Sequence, residues 1–140
     1  MSEENKTIYL RILEEYFAGD DEAMLKASYA DNHVNHFLGI GGAEAWIQFM
    51  APFRMGLSDI HFTVHFQMAD GDKVLNCWTA NAAHTGDLMG IPATGKKVSF
   101  NGMSAARIED GKVVEEWTML DMLALMQQLG AIPSMGESEG

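Results

Sequence analysis

Apolar side chains recur at helical spacing as far as Phe53 and at alternate positions from Ser58 onward, and this change of period divides the chain. Ile8, Tyr9, Ile12, Leu13, Tyr16 and Phe17 form the stripe of a first helix that ends at Gly19. Asp20 or Asp21 is placed to cap a short second helix, in which Met24, Leu25 and Tyr29 share a side and which stops by about Asp31. The segment DNHVNHFLGIGG reads as an irregular loop or a short strand. Ala43, Trp46, Ile47, Met50 and Phe53 make the stripe of a third helix, which Pro52 is expected to end or kink.

The second half is strand-like. Ile60, Phe62, Val64, Phe66 and Met68 alternate with Asp59, His61, Thr63, His65 and Gln67 in a half-buried strand that turns at Asp70-Gly71-Asp72. Strands from Lys73 to about His84, Lys97 to Glu109 and Lys112 to Leu120 complete an antiparallel meander, while TGDLMGIPATG is too rich in Gly and Pro for regular structure and reads as a lip. Asp110-Gly111 is a type I′ hairpin signal, since both residues tolerate positive φ. With those two as the loop, Glu109 faces Lys112, Ser104 faces Trp117, Gly102 faces Met119 and Phe100 faces Asp121. Alternation then puts Val113, Glu115, Trp117, Met119 and Asp121 on one sheet face, beside Phe100, Gly102, Ser104 and Ala106. An ionisable acid thus sits among apolar neighbours.

Strands this long cannot stay flat, and Gly102 with Ala80, Ala82 and Ala83 gives them places to bend. The expected fold is α+β: a curved, mostly antiparallel sheet with the N-terminal helices packed on its concave face, enclosing an apolar pocket. One domain spans 1–140, with about 8–130 as its body and 131–140 as a frayed tail.

The formal charge of −11 and pI near 4.6 exclude a nucleic-acid or anionic membrane partner, because nine basic residues lie scattered among twenty acidic ones. The lone Cys77 has no intramolecular disulfide partner, and MSEENK lacks the order of a signal peptide, so a cytoplasmic location is expected. No apolar run approaches the ~18 residues of a membrane span.

Several spaced segments carry a family likeness: HTG at His84 to Gly86, GIPATGK at Gly90 to Lys96, IEDGK at Ile108 to Lys112, Glu116-Trp117, Asp121, and QQLG at Gln127 to Gly130. Together with the order of helices and then meander, they resemble the SnoaL-like polyketide cyclases, of the cone-shaped α+β superfamily of nuclear transport factor two. The resemblance runs from about Tyr9 to Gly130. It implies ring closure by intramolecular aldol condensation on an apolar or aromatic substrate, without metal or organic cofactor, and an aspartate acid/base at Asp121. Together with a second sheet face that the helices leave uncovered, it also implies a homodimer formed mainly through the sheet, and His61, His65, Thr79 and Thr118 are candidates for interface positions on that face.

Each candidate has a structural reading as well. Asp121 immediately precedes MLALMQQL, where aspartate is a favoured helix cap. His84 stands at a strand end, to donate to a substrate oxygen or to bond a loop carbonyl; the HTG likeness places it in the pocket as a second catalytic group. The likeness places His36 there too, with Asn35 or Asn32 as a neutral donor. His33 and His36 are three apart, yet no third ligand lies in reach, which argues against metal. Trp46 and Trp117 suit stacking on an aromatic ligand or filling a core, and Phe100 lies beside Asp121. Of the eleven methionines, Met89 in the lip and Met119 beside Asp121 belong in the pocket. Isomerisation, dehydration or hydrolysis remain open within the same chemistry, as does a binding module for an apolar metabolite.

Overall fold

The structure is a computed structural model that describes residues 2–132; most of the expected tail, 133–140, lies outside the described residues. Helix α1 (Ser2–Arg11) runs directly into a π-helical stretch, Ile12–Ala18, and together they form the first expected helix. Tyr9, Ile12, Leu13 and Tyr16 are its buried positions, as the apolar stripe requires. Asp21, not Asp20, caps α2 (Glu22–Ser28), its carboxylate accepting from the Met24 N–H. Asp20 supplies the reversal instead, with φ at 59°. Tyr29 leaves the helix and opens strand β1 (Tyr29–Asn35), so the histidine-rich segment begins as a strand. Helix α3 (Gly42–Gly56) continues past Pro52, with Phe53 and Gly56 buried in its last turn. Proline removes a single i→i−4 bond, and burial of the residues that follow holds the turn in place.

Strands β2 (Leu57–Asp70), β3 (Lys73–His84), β4 (Lys97–Glu109) and β5 (Lys112–Leu120) form the meander, and β1 joins its far edge parallel to β5. The sheet order is β1-β5-β4-β3-β2. Register shifts in β2 between Ser58 and His61 and between Val64 and Phe66 add twist to this edge. Helix α4 (Met122–Gln128) closes the described chain.

The Asp110-Gly111 turn has φ of 51° and 77°, and Glu109 pairs with Lys112 as the turn chemistry requires. One pair further on, the register changes. Ile108 pairs with Val113 but Arg107 pairs with Glu115, which leaves Val114 as the extra residue of a β-bulge. Ser104 therefore faces Thr118, Met103 faces Met119 and Gly102 faces Leu120, each one step from the expected pairing. The slip reverses the strand's faces. Beyond Val113, β5 turns Glu116, Thr118 and Leu120 inward and Glu115, Trp117 and Met119 outward.

The inner face of β4 is as expected, with Phe100, Ser104 and Ala106 directed at the helices. Gly102 has a different role from bending. A Cβ there would stand 2.2 Å from the ring of Trp78, its strand partner, so glycine makes the space that the indole occupies. Ala106, Ile108, Val74 and Val113 of the sheet then pack against Tyr9, Ile12, Tyr16 and Trp46 of the helices.

Candidate active site: an apolar cavity with one buried carboxylate

Between the sheet's inner face, the α1 and π-helical segment and α3 lies a cavity of about 70 Å³. Leu13, Phe17, Phe49, Met50 and Phe53 line it from the helices, and Phe62, Trp78, Ala80, Phe100 and Leu120 line it from the sheet. This is smaller than the roughly 300–1,000 Å³ of drug-sized ligand sites, so a ring-containing guest requires side chains such as Met50 to change rotamer. The polar wall consists of Tyr9, Trp46, Asn76, Ser104, Glu116 and Thr118, and Glu116 is the only acid or base with a readily ionised side chain among the lining residues.

Glu116 is 1% exposed and holds four hydrogen bonds. The Tyr9 and Tyr29 hydroxyls donate to Oε2 at 2.7 and 2.8 Å, while His33 Nε2 and Trp46 Nε1 donate to Oε1, each at 2.8 Å. The state of His33 follows from its other nitrogen. Gly42 N–H donates to Nδ1 at 2.9 Å, so Nδ1 bears no proton and the neutral ring carries its hydrogen on Nε2. Two phenols, a neutral imidazole and an indole therefore surround a buried carboxylate, and none of them is a cation. Burial pushes the Tyr9 and Tyr29 hydroxyls well above the usual phenol range, and the Glu116 charge beside them adds to the shift.

The structure separates the residues expected at the site. Asp121 is exposed and caps α4, its carboxylate accepting from Ala124 N at 3.0 Å, and it does not line the cavity. The bulge at Val114 is the reason, since the expected inward facing rested on an unbroken register. The same slip carries Trp117 outward, where it stacks on His36 at 5.2 Å, and leaves Met119 64% exposed. His36 is exposed, bonded to Glu115 across the outer face. Asn35 is buried but outside the lining; its amide donates to Thr118, which does line the cavity. Thr118 is consequently not an outer-face interface residue. Met89 is exposed with φ at 47°, and its neighbour Leu88 takes the buried position in the loop. Trp46 and Phe100 are in the cavity wall. His84 is buried at the end of β3, where it fastens the 85–96 loop through Thr94.

Glu116 was the missed residue. The signal was Glu115-Glu116 itself, because alternation forces one of two adjacent glutamates inward whatever the register. Tyr9, Tyr29 and Trp46, polar-tipped aromatics on inward stripes, are the donors such a buried carboxylate needs.

A five-stranded sheet covered on its inner face by helices, with an apolar cavity between them, defines a small α+β cone fold. A model of the SnoaL-like polyketide cyclase family matches residues 7–129, and the chain belongs to that family. Among solved structures, AclR of Streptomyces galilaeus, proposed as a hydroxylase, is 25% identical with a TM-score of 0.87, over 98% of this chain and 87% of its own. IdmH of Streptomyces antibioticus, proposed as a polyketide cyclase, is 25% identical with a TM-score of 0.79, over 90% of this chain and 98% of its own. A protein of Jannaschia sp. CCS1, proposed as a SnoaL-like polyketide cyclase, shares the fold at 23% identity and a TM-score of 0.81, over 94% of this chain and 95% of its own. No curated protein matches this chain.

Among the described residues no helix is long and apolar enough to cross a membrane, and no three His, Cys, Asp or Glu side chains gather as a metal site needs. His33, in β1, and His36, just after it, are bonded to different carboxylates, Glu116 and Glu115.

Proposed function

We propose that this protein is a cofactor-independent acid/base enzyme that moves a proton next to a carbonyl on an apolar, ring-containing, polyketide-like substrate, in the reaction class of an intramolecular aldol condensation. The observation that supports this reading is a carboxylate, Glu116, in the wall of a largely apolar cavity that Tyr9 also lines, with the Tyr9 hydroxyl bonded to it. Because all its lone-pair directions are taken, Glu116 works through Tyr9. A C–H beside the substrate carbonyl gives its proton to the Tyr9 oxygen as the Tyr9 proton passes to Glu116 Oε2. The enolate carbon forms the new C–C bond at a second carbonyl of the same molecule, and the resulting alkoxide takes the proton back along the same path. Asp121, exposed at the cap, has a structural part in this scheme.

A test that does not require the natural substrate is exchange of the α-hydrogens of 1-indanone, a compact apolar ketone, for deuterium in heavy water. Enzyme-dependent exchange, lost when the cavity is blocked by Ala80→Phe, is the expected result. A rate no higher than that of buffer would remove the catalytic reading. A second reading rests on the same four hydrogen bonds: a saturated carboxylate is also a good anchor, and the cavity then holds an apolar metabolite without turnover. Binding of 1-indanone without exchange would favour that module.

We further propose that a second copy covers the outer sheet face. Phe66, Cys77, Met103 and Met119 are successive partners straight across β2, β3, β4 and β5, and Met68, Leu75, Ala105 and Trp117 make a second such row. Phe66, Met68, Met103 and Met119 are exposed, an apolar stripe that suits association of like with like.

A further inference from the structure

Alternate residues of β3 make one wall of the cavity, Asn76, Trp78, Ala80 and Ala82, and the next residue on that face is His84. His84 is fully buried, and its strand partner Leu57 also lines the cavity. Its Nδ1 receives the Thr94 backbone N–H at 3.2 Å and lies 2.9 Å from the Thr94 hydroxyl. A ring nitrogen that accepts a backbone N–H carries no proton, so the hydrogen of the neutral ring is on Nε2. Among the described residues that Nε2 has no hydrogen-bond partner. A buried donor left unmet costs about 1–3 kcal/mol. The loop between β3 and β4 nevertheless fixes the ring in this tautomer, with Gly95 N donating to the His84 carbonyl and His84 N to Lys96 O.

We propose that His84, which stands just beyond the lining residues Leu57 and Ala82, is a second polar subsite at that end of the cavity, whose Nε2–H takes a ketone or phenol oxygen of the substrate. This rests on the reading of the cavity as a substrate site. Asn76, in the row that Ser104 and Thr118 continue across the sheet, and His84 are eight residues apart on one strand, on the order of 25 Å if it were straight. The two polar ends therefore do not act on a single reacting atom. His84 orients the substrate by an oxygen at its far end, and the class of molecule this selects is an elongated apolar one with oxygens toward both ends. The same chemistry gives His84 a role in positioning and specificity, with no proton to remove.

The experiment uses wild-type protein labelled with nitrogen-15 histidine, titrated with 1-indanone and with indane, which has the same rings and no oxygen. 1-Indanone is expected to move the His84 Nε2–H proton resonance downfield, and indane to leave it in place. The ratio of 1-indanone to indane affinity is expected to fall about 3- to 10-fold in His84→Phe. His84→Phe also removes the Thr94 attachment, so the wild-type titration decides the matter if that variant does not fold. A resonance that 1-indanone does not move, or one held by a trapped water that the ketone fails to displace, overturns the subsite. Failure of deuterium exchange with this shift intact overturns the catalytic reading and leaves the subsite standing, so the two failures are distinguishable.

Discussion

The hydroxyl of Tyr9 lies 2.7 Å from a carboxylate oxygen of Glu116, 107 residues further along the chain. This contact ties the first helix to the last strand of the sheet, and Tyr29, His33 and Trp46 bring β1 and α3 to the same two oxygens. The cavity's polar end thus exists only when every layer is assembled. Tyr9→Phe keeps the ring and removes one charge-assisted hydrogen bond, and urea unfolding is expected to show a loss of about 1.5–3 kcal/mol. An unchanged midpoint would mean that this contact does not hold the helix to the sheet.

Alkaline stability follows from the same cluster. All three tyrosines of the chain have hydroxyls raised above the ordinary phenol value, Tyr9 and Tyr29 strongly, with burial as the leading cause each time. A raised acid stays protonated in the folded state while the unfolded chain ionises. The stabilisation is therefore complete below a pH of about 10 and is lost as the pH rises beyond it, by up to about 1.4 kcal/mol per pH unit for each such group. Phenolate absorbance is expected to appear together with unfolding. Tyrosines that ionise one by one in the folded protein would contradict the burial assigned to them.

Gly102 is predicted to be the least replaceable residue of β4. Gly102→Ala puts a methyl carbon where the Trp78 ring lies, at 2.2 Å, and the ring cannot withdraw without giving up the Nε1–H bond to Ser104 at 3.1 Å. Overpacking of this kind costs about 1–3 kcal/mol. A thermal melt unchanged from wild type would show that the wall yields more readily than its packing implies.

The outer face gives a prediction about assembly. Met103 stands mid-row between Cys77 and Met119. Met103→Glu is expected to convert a dimer into a monomer in sedimentation at micromolar concentration, with the fold unchanged, since the side chain is 48% exposed within one chain. Wild-type protein that is already monomeric there would remove the proposed contact.

Much of this arrangement was legible in the residues. Period and turn chemistry located β3, β4 and β5, and the Asp110-Gly111 hairpin paired Glu109 with Lys112. What pattern alone did not carry was the bulge at Val114. A bulge adds one residue to a strand that already alternates well, and it leaves no mark in composition. Everything beyond it inherits the error: Trp117, Met119 and Asp121 exchanged places with Glu116, Thr118 and Leu120. Helix capping at Asp121 survived because it depends on local sequence, whereas facing depends on a register counted from the turn.

Central to the account is that the carboxylate inside the cavity, and not the one at the helix cap, moves the substrate's proton. The direct measurement is the rate of α-hydrogen exchange of 1-indanone catalysed by Glu116→Gln and by Asp121→Asn, each first shown to be folded. Glu116→Gln is expected to lose about 10²-fold or more, since a carboxamide takes no proton, while Asp121→Asn keeps both an oxygen to cap α4 and near wild-type exchange. The opposite ranking, with Glu116→Gln active and Asp121→Asn inactive, would contradict the account and return the chemistry to Asp121.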